Sequence, residues 1–174
     1  KKASNAPPLG FSRGRLVQQS KVHEGSVKVA IVGAGGTGRE LASFGTAEHG
    51  YIVNGYYDDN PEIKNRLGGC RDIASCQTPV VLALASYRNM ELPREIASLR
   101  PDDDWIGFQS TKAYVYPNAD VCRTAHVFPF AVVAADARIG RHNLIYHHVT
   151  ISHDAAMGDF VVVANGATIS GGVS

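Results

Sequence analysis

The sequence predicts an α/β domain with a parallel sheet, followed by a parallel β-helix built from hexapeptide repeats. Three observations carry this reading. A short apolar run ends in a glycine-rich loop, a second apolar run has no polar interruption, and the last third of the chain repeats an aliphatic residue every six positions. The 174 residues are 44% hydrophobic and 19% charged, which is enough apolar material for a packed core and too little charge for a disordered chain.

Residues 1–26 read as a solvated arm. Lys1, Lys2, Arg13, Arg15 and Lys21 stand against Glu24, with Pro7-Pro8 and no apolar period. The apolar stretch of a secretory signal is missing. The chain opens on Lys, not Met, and stops at Ser174 in mid-repeat without a closing segment, so it is expected to be a piece of a longer protein.

From residue 27 the character changes, and 27–112 reads as the α/β domain. Residues 27–32 (VKVAIV) suit a buried strand and run directly into Gly33-Ala34-Gly35-Gly36-Thr37-Gly38. A helix is expected over 39–49, a strand over 51–57 ending in Asp58-Asp59, and irregular chain around Gly68-Gly69. Residues 79–85 (PVVLALA) are uninterrupted apolar chain, as in a parallel sheet covered on both faces. A second helix is expected over 88–99, with Pro93 limiting its start.

Residues 113–174 obey a different period. Val115, Val121, Val127, Val133, Ile139, Ile145, Ile151, Met157, Val163 and Ile169 stand six apart. Even if a third of all residues qualified, such a run would arise by chance on the order of one time in 10,000. Four places after each stands a second column, Ala119, Ala125, Ala131, Ala137, Asn143, Val149, Ala155, Val161, Ala167 and Val173, small except at Asn143. Helices repeat near 3.6 and strands at 2, whereas a triangular solenoid repeats at six. Each hexad then forms one side of the triangle, with the aliphatic pointing inward and the small residue near a tight corner. Tyr114, Tyr116, Phe128 and Phe130 lie where the solenoid starts and are expected to cap its first coil.

Composition excludes several functions. A net charge of +1 gives no electrostatic case for nucleic acid or an anionic membrane surface. No run of about 18 apolar residues exists to span a bilayer. Cys70, Cys76 and Cys122 are odd in number and lack C-x-x-C spacing, which argues against a disulfide framework or zinc knuckle and suits a reducing cytoplasm. His142, His147, His148 and His153 invite a metal reading, but residues six apart occupy adjacent sides of the triangle, and one coil does not gather them around an ion. No metal is expected.

Gly33-x-Gly35-x-x-Gly38 follows a strand and opens a helix, with an acid about 20 residues on at Asp58. Bare backbone N–H groups at a helix start hold a diphosphate. NAD and a nucleotide-linked sugar both carry one, and the motif alone does not separate them.

With the solenoid, the chain resembles the hexapeptide-repeat sugar acyltransferases of bacterial surface-glycan pathways, the NeuD/PglD type. The resemblance covers about residues 27–174. It is most specific at Ile151-Ser152-His153-Asp154, at Met157-Gly158-Asp159-Phe160, and from Gly166-Ala167 to Gly171-Gly172-Val173. It implies a Rossmann-like N-terminal domain, a left-handed β-helix, a homotrimer, acetyl-CoA as co-substrate and a nucleotide-linked amino-sugar as acceptor. It further implies that His153 is the general base with Asp154 beside it, and that Gly171 meets the acetyl-CoA thioester region. Gly33, Gly35, Gly36 and Gly38 would hold the sugar-nucleotide phosphates, with Asp58 and Asp59 near the nucleoside. Two places depart from the family pattern: Tyr146-His147 where Asn-Thr is common, and Val162 where a histidine is common. Histidine titrates near neutrality and suits the base role, and a neighbouring carboxylate holds its tautomer. Two rivals stay open, a nicotinamide-dependent oxidoreductase and an inactive nucleotide-sugar-binding scaffold.

Overall fold

A computed structural model describes residues 27–85 and 90–174; the expected arm and the first positions of the second expected helix lie outside the described residues. The N-terminal part contains β1 (Lys28–Val32), α1 (Gly36–His49), β2 (Ile52–Tyr57), β3 (Arg66–Gly68), β4 (Val80–Leu82) and α2 (Glu91–Ser98). The four strands form a parallel sheet in the order β3-β2-β1-β4. Its centre is β1, whose last four residues are buried, as their apolar character requires. Helix α1 starts three residues before the expected position because the loop glycines themselves form its first turn, and it ends on Gly50 in the left-handed region. Helix α2 is shorter than expected, with Pro93 in its first turn, where a missing N–H costs nothing. Strand β4 takes only three residues of the second apolar run, and 83–85 leave the sheet. The stretch after Gly69 is a short 3₁₀-helix, Cys70–Ser75.

The C-terminal part is a solenoid of two-residue strands, and it bears out the six-residue period. One face stacks Tyr114–Val115, Val132–Val133, Thr150–Ile151 and Thr168–Ile169. A second stacks Asp120–Val121, Arg138–Ile139 and Ala156–Met157, and a third His126–Val127, Leu144–Ile145 and Val162–Val163. Paired residues, such as Ile145 and Val163, are 18 apart, so three hexads close one coil. The aliphatic column is buried from Val121 to Val163, and the small column from Ala119 to Ala155. Asn143 is the polar exception in that column. Its amide spans to the next coil, donating to the Gly158 carbonyl at 2.9 Å and accepting from the Val161 N–H at 2.6 Å. The buried amide therefore satisfies backbone groups that an alanine would leave unpaired.

A column the hexad reading did not contain runs along the corners. Phe130, Asp136, His142, His148, Asp154 and Phe160 all have φ between 55° and 65°, followed by Gly166 and Gly172 at 70°. Each is the third residue of a tight turn, as where the Ala137 N–H returns to the Ala134 carbonyl.

One segment ties the two parts together. Trp105 pairs with Val80 at the sheet edge, and four residues later Gln109 pairs with Val127 of the third solenoid face. Trp105 and Phe108 are fully buried. Phe108, Phe128 and Leu144 pack with Val29, Ile31 and Leu41, so the third face is the one that rests on the α/β domain. The expected aromatic cap is therefore corrected. Phe128 is buried at this junction, whereas Tyr114, Tyr116 and Phe130 are exposed. His126 is the polar centre of the junction. Its Nδ1 accepts the Phe108 N–H at 3.0 Å, which leaves the proton on Nε2 to donate to the Leu82 carbonyl at 3.0 Å. Glu48, at the end of α1, accepts from the Thr111 N–H at 2.7 Å and the Ser110 hydroxyl at 2.9 Å. Burial pushes its carboxyl pKa up, but these hydrogen bonds outweigh that and hold it below the usual range.

Candidate functional site

The sequence-predicted residues fall at two places. The first is a cleft of about 290 Å³ between the carboxyl ends of β1 and β4, lined by Gly33, Gly35, Gly36, Thr37 and Asp58, by Ala83 to Ala85, and by Leu92 and Pro93 of α2. The chain leaves β1 towards β2 and β3 and returns on the other side as β4, so the cleft sits where the strand order reverses.

The four glycines divide by what surrounds them. A Cβ on Gly38 would stand 1.9 Å from the Gly33 carbonyl oxygen, and one on Gly33, at φ 95°, would stand 2.9 Å from Leu84. These two let the strand, loop and helix close on each other. Gly35 and Gly36 have no atom within 4 Å of a built Cβ, so their backbone faces open space in the cleft. No side chain caps the helix start, and its N–H groups and dipole are presented to the cleft.

The acidic pair is split. Asp58 lines the cleft and holds the loop, its Oδ2 accepting the Ala34 N–H at 2.7 Å and its Oδ1 the Asn60 N–H at 2.9 Å. Asp59 accepts the Cys70 N–H at 2.9 Å and is not among the cleft-lining residues. Burial, with Asp59 and Asp58 nearby, pushes the Cys70 thiol up to about 11, which removes it as a nucleophile at neutral pH.

The second place is a solenoid corner. His153 Nδ1 lies 2.7 Å from Asp154 Oδ2, and the two side chains are 72% and 64% exposed, open to a ligand from solvent. With a carboxylate as partner, Nδ1 carries the proton and Nε2 is left with its lone pair. One coil further on lies Gly171, where a Cβ would stand 2.9 Å and 3.0 Å from the imidazole Cε1 and Nε2. The Gly172 N–H donates to the His153 carbonyl at 3.0 Å. The missing side chain at Gly171 is thus what leaves room for the ring.

The structure does not bring the other histidines to this corner. His142 is buried, stacked on Phe160 and edge-on to Trp105. His147 and His148 share a different corner, where Asn165 Oδ1 accepts the His147 backbone N–H at 3.1 Å and lies 3.3 Å from its Nδ1. Among the described residues no group of three or more His, Cys, Asp or Glu is placed to hold a metal ion, and no helix is long and apolar enough to cross a membrane.

Thr37 and Tyr146 were missed as site residues. Their hydroxyls hydrogen-bond to each other, joining the cleft to the solenoid. Neither stands in a periodic column; the departure at Tyr146 from the family pattern was the one available signal.

The same architecture recurs in solved structures. The acetyltransferase domain of PglB from Neisseria gonorrhoeae FA1090, in complex with acetyl coenzyme A, superposes with a TM-score of 0.62 at 19% identity, over 85% of this chain and 84% of that one. The chain has the fold of the acetyltransferases. A histidine-to-asparagine mutant of perosamine N-acetyltransferase from Caulobacter crescentus, in complex with CoA and GDP-perosamine, gives a TM-score of 0.56 at 16% identity, over 86% and 79% of the two chains. WeeI from Acinetobacter baumannii AYE gives 0.56 at 15%, over 83% and 81%. No protein-family model matches the sequence, and no curated protein matches it.

Proposed function

We propose that this acetyltransferase fold carries an acetyl-CoA-dependent acyltransferase, which acetylates an amino group or hydroxyl of a nucleotide-linked sugar in bacterial surface-glycan biosynthesis. The observation that carries the reading is the His153–Asp154 pair, with its Nε2 lone pair beside the bare backbone of Gly171. In the reaction, the sugar amine attacks the thioester carbonyl carbon and its proton passes to His153 Nε2. The C–S bond then breaks, and the CoA thiolate leaves and is protonated from the imidazolium. Asp154 fixes the tautomer and stabilises the imidazolium formed on the way. Gly171 lets the thioester approach the ring.

The α/β part serves as a Rossmann-like unit. The open N–H groups around Gly35 and Gly36 receive the diphosphate at the start of α1, and Gly33 and Gly38 shape the loop. Asp58 steadies that loop from its Ala34 N–H, and Asp59 supports the neighbouring turn at Cys70.

Topology supports assembly as a homotrimer. The His153 corner lies between the first and second solenoid faces, and the third face rests on the α/β domain. Base and cleft therefore lie on opposite sides of the prism within one chain, and a neighbouring subunit's cleft is the one to meet His153. The GDP-perosamine in one similar structure and the acetyl coenzyme A in another support the substrate classes.

The test is CoA release from acetyl-CoA with a panel of UDP- and GDP-linked amino-sugars, followed with a thiol reagent. His153→Ala is expected to lower turnover by about 10² to 10⁴ with an unchanged melting temperature, since the side chain is exposed. Turnover near that of the unsubstituted chain removes His153 from the role. No release with any acceptor, together with tight NADH binding, favours the oxidoreductase; no release and sugar-nucleotide binding alone favours the scaffold.

A further inference from the structure

We propose that Tyr146, a solenoid residue, is a positioning residue for the nucleotide cleft: its phenol orders the Thr37 hydroxyl so that the Thr37 proton points at a phosphoryl oxygen of a bound nucleoside diphosphate. The inference rests on the reading of the cleft as a nucleotide-sugar site and adds to it a contribution from the other half of the molecule.

Thr37 is the second residue of α1 and lines the cleft. Its Oγ1 is hydrogen-bonded to the Tyr146 hydroxyl across 109 positions of sequence. A phenol is the stronger acid of the two, with a pKa near 10, so Tyr146 donates and Thr37 accepts. A hydroxyl has one proton and two lone pairs. Accepting from Tyr146 leaves the Thr37 proton for an acceptor on the other side, at a helix start whose N–H groups no side chain caps.

The phenol is held from several directions. Its ring stacks on Phe128 with centroids 4.7 Å apart and an interplanar angle of 26°, and Phe128 is fully buried at the junction. The residue after it is tied by its backbone N–H to Asn165 of the next coil. The donor thus arrives at Thr37 from a rigid solenoid wall, and no rotation of Tyr146 about a loop is needed to form the contact. Sequence spacing in the glycine loop carries no trace of this. The α/β domain supplies the backbone donors, and the solenoid supplies the group that orients the side-chain donor.

The test is calorimetric titration of the full chain with UDP and with GDP. Tyr146→Phe keeps the stack on Phe128 and removes one hydroxyl; Thr37→Val removes the other. Each is expected to raise Kd by roughly 3- to 10-fold, the range for a single hydrogen bond. Thr37→Ser, which retains the hydroxyl, is expected to bind like the unsubstituted chain, and the double variant no more weakly than Thr37→Val alone. A loss of packing at Tyr146 would not produce that non-additivity or the serine rescue. Tyr146→Phe binding as tightly as the unsubstituted chain overturns the inference while the cleft reading stands, and so does strict additivity of the two losses. Failure of the unsubstituted chain to bind either nucleotide overturns both.

Discussion

Gly38 is fixed by a backbone atom: the Gly33 carbonyl oxygen occupies the space a Cβ would need. Gly38→Ala must therefore separate α1 from β1, and a cost of about 1–3 kcal/mol or more is expected, read as a lower thermal midpoint. Gly35→Ala meets no neighbour; it is expected to leave the midpoint unchanged and, on the proposed reading of the cleft as a diphosphate site, to weaken UDP or GDP binding, because its methyl projects into the cleft. The fingerprint spacing located Gly33, Gly35 and Gly38 in the sequence, and the family resemblance added Gly36, but neither told the two kinds apart, since the distinction depends on Leu84 and on the closeness of strand and helix. The His153–Asp154 contact was legible because both residues are adjacent in sequence and fall at a corner of a period already found. His126 was not legible. It stands beside Val127 in the hexad register, and only the packing of the third face against β4 reveals that both ring nitrogens are occupied.

At the level of the repeated turn, the sequence discloses the buried columns and conceals the corners. The aliphatic and alanine columns are chemically uniform because they share one environment. The corner column reads Phe, Asp, His, His, Asp, Phe, Gly, Gly, because the corners share a positive φ but not one environment: most are exposed, whereas His142 is buried against Trp105 and Phe160 is half-buried. Asp, His and Gly are enriched in that region, which is a faint signal; the two phenylalanines run against it. Each non-glycine corner stores on the order of 1 kcal/mol, repaid by the stacking of the coils. A β-branched residue is the worst choice for this backbone. Asp136→Val is expected to lower stability by about 1–2 kcal/mol in urea denaturation, and Asp136→Gly to change it by about 0.5 kcal/mol or less. Loss of the exposed hydrogen bond from Asn118 is common to both variants and cancels in the comparison.

The molecule as a whole joins its halves through buried imidazoles. Burial, with His142 close by, pushes the His126 pKa down to about 3. Burial, then the Arg141 charge, pushes that of His142 down to about 4. Both titrate near 6.5 once unfolded, so the unfolded chain binds the extra protons. The stability they confer is complete above pH 6.5 and is lost as pH falls from there towards 4 and 3, by up to roughly tenfold in the folding equilibrium per pH unit for each ring. The urea midpoint is expected to drop steadily from pH 7 to pH 5, and His126→Gln, which does not titrate, to flatten that slope. An unchanged slope would mean that His126 does not titrate with unfolding. Within the solenoid, partners 18 residues apart set a rule for how the chain tolerates changes in length. An insertion of eighteen adds one storey to the prism and leaves every later side chain on its own edge. An insertion of six between Ile145 and Thr150 would turn everything after it by a third of a revolution, carrying the imidazole–carboxylate couple to the adjoining edge and parting it from any neighbour that serves it.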